Sequence, residues 1–157
     1  TEVSVRLFKC DDKCEFTVLP QSLCIDDLPC DCNVYNPDAG LLKVTQGMTE
    51  EICHSHLLKT NCPITGQPDW ASVQIGYKGD FSLDKTSLLR YLVSYREHGD
   101  YHEACCEQIF KAIYDVLKPE YLWVKCFFTR RGGIDINPCR FSGMLPDNDF
   151  STHLWRQ

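Results

Sequence analysis

Apolar residues fall at every second position in two stretches of the chain. Val3, Val5 and Leu7 alternate with Ser4 and Arg6, and Ala71, Val73, Ile75 and Tyr77 alternate with Ser72, Gln74 and Gly76. That period predicts strands with one buried face. The second run stops at Lys78-Gly79-Asp80. After Asp84 the spacing changes to three and four: Leu88, Leu92 and Tyr95 share one face of a helix that Gly99 ends. Cys105, Ile109, Ala112, Ile113 and Val116 form the stripe of a second helix, which Pro119 stops. At its start, Asp100 and Glu103 have the spacing of a capping box.

One more helix is expected from Thr49-Glu50-Glu51, with Thr49 as cap and Ile52, His56 and Lys59 on a shared face, ending at Asn61-Cys62-Pro63. Tyr121 to Thr129 is apolar and aromatic, and Gly132-Gly133 separates it from Ile134-Asp135-Ile136-Asn137, which predicts a hairpin. Residues 9–47 are rich in Asp, Cys, Pro and Asn and read as connecting structure with short strands, and from Ser142 the chain reads as a surface extension. The order strand, connector, helix, strand, two helices, strand, strand predicts an α+β domain, an antiparallel sheet with helices on one face. Its divisions are 1–47 (strand and connector), 48–141 (the main module) and 142–157 (the tail).

Composition narrows the function classes. The 157 residues are 43% hydrophobic and 24% charged, the balance of one globular domain. A net charge of −6 with scattered basic residues argues against a nucleic-acid surface. No apolar run approaches the length of a membrane span, and TEVSVRLF lacks the features of a signal peptide, so a cytoplasmic protein is expected. The odd count of eleven cysteines then points to reduced thiols. Cys10 with Cys14, and Cys30 with Cys32, are spaced only loosely like metal ligands, and no metal is expected.

Three stretches could carry chemistry. In Asn61-Cys62-Pro63-Ile64-Thr65-Gly66-Gln67-Pro68-Asp69-Trp70 a thiol and a carboxylate stand seven positions apart around two prolines and a glycine. Cys62 could be a nucleophile or a packed thiol; Asp69 could be a proton donor or a turn carboxylate. In Tyr101-His102-Glu103 the carboxylate could cap the helix or accept two hydrogen bonds from the amide-amidine edge of a guanine-like base. Thr129-Arg130-Arg131-Gly132-Gly133 reads as a hairpin turn with solvated arginines or as a clasp for nucleotide phosphates. No GxGxxG occurs, so a nicotinamide cofactor would bind outside a Rossmann fold.

Taken together, Cys62 to Trp70, Leu89 to Arg96 leading to His98-Gly99-Asp100-Tyr101-His102-Glu103, and Thr129 to Pro138 resemble, in order and spacing, the NADPH-dependent 7-cyano-7-deazaguanine reductases, the QueF nitrile reductase family of queuosine biosynthesis in tRNA modification. A weaker match runs through Cys24-Ile25-Asp26-Asp27. The resemblance implies the tunnelling fold, or T-fold, whose sheets join into barrels across subunits. It also implies Cys62 as the nucleophile that forms a thioimide with the nitrile carbon, Asp69 as the acid that protonates the nitrogen, and His102 as an aid to proton transfer. Glu103 is implied at the deazaguanine base, where Tyr101 is also expected to bind, and Arg130, Arg131 and Gly132, read above as a phosphate clasp, are the expected NADPH contacts.

The family's NADPH motif, Glu-Ser-Lys-Ser-x-Lys, is matched in Asp84-Lys85-Thr86-Ser87-Leu88-Leu89 only at Ser87. The chain is similar to the C-terminal module of the family's two-module form. A homo-oligomer, or pairing with an N-terminal T-fold module, is therefore expected. Two other readings stay open: a related T-fold amidinotransferase acting on the nitrile base in tRNA, and a non-catalytic assembly module.

Overall fold

The alternation at Ala71–Tyr77 lies inside a longer strand. In the computed structural model, which describes residues 19, 21–143, 154 and 157, a five-stranded sheet has the order β1 (Leu23–Cys24), β2 (Val44–Asn61), β3 (Pro68–Leu83), β4 (Tyr121–Phe128), β5 (Cys139–Ser142). All neighbours are antiparallel except β1, which runs parallel to β2. Two helices follow β3: α1 (Lys85–Val93), continued by a 3-10 turn at Ser94–Glu97, and α2 (His102–Leu117). The expected strand at Val3–Leu7, and Cys10 and Cys14, lie outside the described residues.

The helix expected from Thr49 is instead the central part of β2. Two irregularities disguise it. The register with β3 shifts between Gln46 and Thr49 and again between Ser55 and Leu58. A bulge inserts an unpaired residue and reverses which side chains face the core. Before the second shift the fully buried positions are Cys53 and Ser55; after it they are Leu58 and Thr60. The change from odd to even destroys the period of two, and what remains resembles a helical stripe. Pairing with β3 over almost its full length then overrides local propensity.

The helices cover one face of the sheet. Leu88, Leu92, Ile109 and Ile113 share a buried cluster with Val73, Ile75, Tyr77, Val124, Cys126 and Phe128. Asp84 caps α1 by accepting the Ser87 amide at 2.7 Å, and α2 ends at left-handed Lys118, just before Pro119. The capping box expected at the start of α2 does not form. Tyr101 is the N-cap without a side-chain bond, and Asp100 instead accepts from the Tyr101 amide at 2.8 Å and from Gln108 Nε2 at 2.9 Å.

The hairpin after β4 also differs from expectation. Arg131 and Ile134 exchange backbone hydrogen bonds of 2.9 and 3.0 Å around Gly132-Gly133, so the turn is where it was predicted. The returning strand, however, pairs only at Cys139–Ser142, and residues 129–138 form a loop that folds back toward β3. The end of the chain is not wholly a surface extension: Leu154 is buried, and Gln157 Nε2 donates to Asn137 Oδ1 at 2.7 Å. Among the described residues no helix is long and apolar enough to cross a membrane.

On the face away from the helices, Trp123 lies flat over Gly76, its cross-strand partner. A Cβ at Gly76 would sit 2.3 Å from the indole ring, and a buried ring cannot yield that far without repacking. Gly76→Ala should therefore destabilise the fold by about 1–3 kcal/mol, read as a lower denaturant midpoint with an unchanged slope.

Candidate active site

The thiol sits where β2 ends. Beyond Asn61 the chain makes a tight turn, in which the Gly66 amide donates to the Cys62 carbonyl at 2.9 Å and the Cys62 amide to the Gln67 carbonyl at 2.8 Å. Gly66 has a φ of +68°, a conformation strained for any residue with a Cβ. Pro63 and Pro68 restrict the backbone on either side. Polar donors of the turn, the Thr65 hydroxyl first and then the Thr65 and Ile64 amides, hold the sulfur's pKa below the ordinary thiol value. Burial opposes them, and the Arg131 charge adds a smaller downward push. Donors that favour the thiolate are what a cysteine nucleophile needs. Burial drives Cys53 and Cys105 the other way, to about 12, and raises Cys24, Cys30 and Cys139 as well.

Backbone contacts bring the rest of the site to this turn. The Asn61 amide donates to the His98 carbonyl at 2.8 Å and the Asp100 amide to the Asn61 carbonyl at 3.2 Å, which fastens the segment before α2 to the end of β2. The Thr129 amide donates to the Trp70 carbonyl at 2.9 Å, which fastens the 129–138 loop to the start of β3. Cys62, Pro63, Asp69, Asp100, Tyr101, His102, Glu103, Arg131 and Ile136 thereby line one cavity of about 210 Å3.

Asp69 is 1% exposed, so its carboxylate needs partners from the protein. Arg131 Nε donates to Oδ1 at 2.7 Å, and Arg131 Nη2 donates to the same oxygen. On the other side His102 Nε2 lies 3.3 Å from Oδ2. The imidazole stacks on Phe128, with centroids 4.0 Å apart and planes 2° from parallel. Its Nδ1 is buried with no hydrogen-bond partner among the described residues. A proton on Nε2 has an acceptor in Asp69, whereas one on Nδ1 would have none, so the stack and the carboxylate together select the tautomer.

Of the residues expected to act, Cys62, Asp69, His102, Glu103, Tyr101 and Arg131 meet in this cavity. Glu103 is exposed in the first turn of α2, with its carboxylate uninvolved in capping. Tyr101 beside it is 58% exposed, presenting an aromatic ring to a ligand. Arg130 lies outside the cavity lining and pairs with Asp135 at 3.2 Å; Gly132 is at the turn. A larger groove of about 610 Å3 runs between the helices, lined by Tyr91, Tyr95 and Gln108 among others, but it contains no thiol. Nucleophilic chemistry therefore favours the smaller cavity. Thr65 and Phe128 were not singled out from the sequence, and Asp100 only as a helix cap. Thr65, inside the Cys62–Asp69 motif, could have been found as a hydroxyl three residues from a candidate nucleophile.

The family model described as "QueF-like protein" matches residues 68–144. A curated relative from Saccharophagus degradans is 54% identical over 77% of this chain and 45% of its own length. Others from Chromohalobacter salexigens (47% identical, 88% of this chain and 50% of the relative) and Acinetobacter baumannii strain AYE (49%, 91% and 53%) carry the same name, NADPH-dependent 7-cyano-7-deazaguanine reductase. The chain spans about half the length of these relatives. A solved structure of the archaeosine synthase QueF-Like in the apo form superposes with a TM-score of 0.55, covering 65% of this chain and 99% of that one at 18% identity, which bears on the fold alone. The antiparallel sheet with two helices on one face is consistent with the tunnelling fold, and by sequence residues 68–144 match the QueF-like family.

Proposed function

We propose that this chain is the thiol-bearing module of an enzyme that reduces the nitrile of 7-cyano-7-deazaguanine to an aminomethyl group, with NADPH as hydride donor. The observation that carries the proposal is the meeting, in one cavity, of Cys62 and its thiolate-favouring turn with Asp69, His102 and Glu103. The relatives' shared name supplies the substrate.

In the first step the sulfur bonds to the nitrile carbon, and the thiol proton passes to the nitrogen, giving a thioimide. Asp69 relays that proton, taking it as the sulfur attacks and delivering it as the C≡N π bond opens. His102, held by Phe128, keeps the carboxylate oriented from the Oδ2 side. Glu103 accepts the paired N–H groups of the base edge, and the exposed Tyr101 ring packs on the base. Covalent attachment keeps the half-reduced species in place between reductions.

NADPH, when bound, supplies the hydrides that take the thioimide to the amine. The residues expected at its phosphates do not compose a phosphate seat: Arg131 is held by Asp69 and Gln67, Arg130 by Asp135, and Lys85, in the segment aligned with the family's cofactor motif, by Glu51. A small, half-open cavity fits completion by another T-fold module, whether the remaining length of a two-module chain or a second copy. The nine described cysteines are free thiols, as the reducing cytoplasm allows.

Mixing the protein with 7-cyano-7-deazaguanine in the absence of NADPH should give one covalent adduct by intact mass. Cys62→Ala should abolish it, and Asp69→Asn should slow its formation by about 100-fold or more. If Cys62→Ala still forms the adduct, or no adduct forms at any concentration, the proposal fails. Glu103→Gln should retain capture but raise the concentration for half-maximal rate about 10- to 100-fold, the effect of losing hydrogen bonds to a charged acceptor.

A further inference from the structure

Arg131 contacts Asp69 and the turn that follows Cys62. Its Nε and Nη2 converge on Asp69 Oδ1. Nη1 donates to Gln67 Oε1 at 3.0 Å, Nη2 reaches the Gln67 carbonyl at 3.4 Å, and Nη1 lies 3.5 Å from the Thr65 hydroxyl. One guanidinium thus spans the turn that holds the thiol and the buried carboxylate behind it. These contacts cross 62 to 66 positions of sequence. At 27% exposure the Arg131 side chain is mostly inside the protein, and its fork is occupied.

The two oxygens of Asp69 are consequently unequal. Oδ1 already accepts two charge-assisted hydrogen bonds, which fill its in-plane lone pairs. Among the described residues, the partner of Oδ2 is the His102 imidazole, at 3.3 Å. A proton arriving on Oδ1 would have to displace an arginine donor; one arriving on Oδ2 would not. We infer that Arg131 is a positioning residue that confines the mobile proton of Asp69 to Oδ2 and clamps the Thr65–Gln67 turn, and that it does not serve as a contact for a nucleotide phosphate. The inference rests on the reading of Cys62 and Asp69 as the reacting pair.

Two substitutions test it. Arg131→Met removes the fork, and Arg131→Lys keeps a cation but cannot place two donors on one oxygen while holding the turn. Without NADPH, Arg131→Met should capture 7-cyano-7-deazaguanine about 10- to 100-fold more slowly than the parent chain, and Arg131→Lys should recover only a minor part of that loss. Capture within about two-fold of the parent by both variants, with a defect only once NADPH is added, would show a cofactor contact and overturn the inference.

A second readout needs no nitrile. Charged or titratable groups lining the cavity around Cys62 are Asp69, Asp100, Glu103, Tyr101, His102 and Arg131. Removing the one guanidinium leaves three carboxylates near the sulfur and frees the turn. The midpoint of the pH profile for Cys62 alkylation by iodoacetamide should therefore rise in Arg131→Met, and it should stay raised in Arg131→Lys because the turn is no longer clamped. An unchanged midpoint in both variants overturns the inference, even if the parent chain captures no nitrile and the functional proposal itself has failed.

Discussion

The hydrogen bond from the Gly66 amide to the Cys62 carbonyl closes the turn on which the site depends. It bends the chain so that donors of Thr65 and Ile64 lower the pKa of the sulfur, and so that β3 starts one turn away with Asp69 on its inner side. Pro63 contributes by lacking an N–H and restricting Cys62 to extended geometry. A polar cradle of this kind stabilises a thiolate chiefly through neutral donors, with the Arg131 charge a smaller contributor. The sulfur therefore stays accessible, while Cys53 and Cys105, thiols in the same fold, are driven up by burial and remain inert.

The second constraint is a buried carboxylate. Taking Asp69 to 1% exposure would cost several kcal/mol if its charge were unpaired. The protein meets that cost with Arg131 and His102, drawn from the 129–138 loop and the first residue of α2. The three elements are fixed by backbone bonds at Asn61–His98, Asn61–Asp100 and Trp70–Thr129. Chemistry and stability are coupled here, since the donors that permit burial of the acid also determine which of its oxygens can carry a proton.

Much of this was legible in the chain. Strand alternation at Ala71–Tyr77, both helical stripes and the Gly132-Gly133 turn are local patterns and appear where they were expected. The β2 strand was not legible, because the shift between Ser55 and Leu58 inverts its facing and leaves no period to read. Glu103 was read as part of a capping box from spacing alone, whereas Asp100 turned to Gln108, a partner no local pattern marks. Cys62, Asp69, His102 and Glu103 were found through the resemblance more than through their local chemistry. The place of Arg131 depends on a loop folding back across 62 positions, which spacing could not show.

We propose that the Cys62–Gly66 turn, and not burial or chance exposure, makes Cys62 the reactive thiol. The most direct measurement is the pH dependence of iodoacetamide alkylation at each cysteine, resolved by peptide mass in the native and the unfolded chain. The Cys62 midpoint should lie below its own unfolded value, with alkylation of Cys62 ahead of Cys53 and Cys105 at neutral pH; Thr65→Val should move that midpoint upward. A native midpoint at or above the unfolded one, or no response to Thr65→Val, would contradict it.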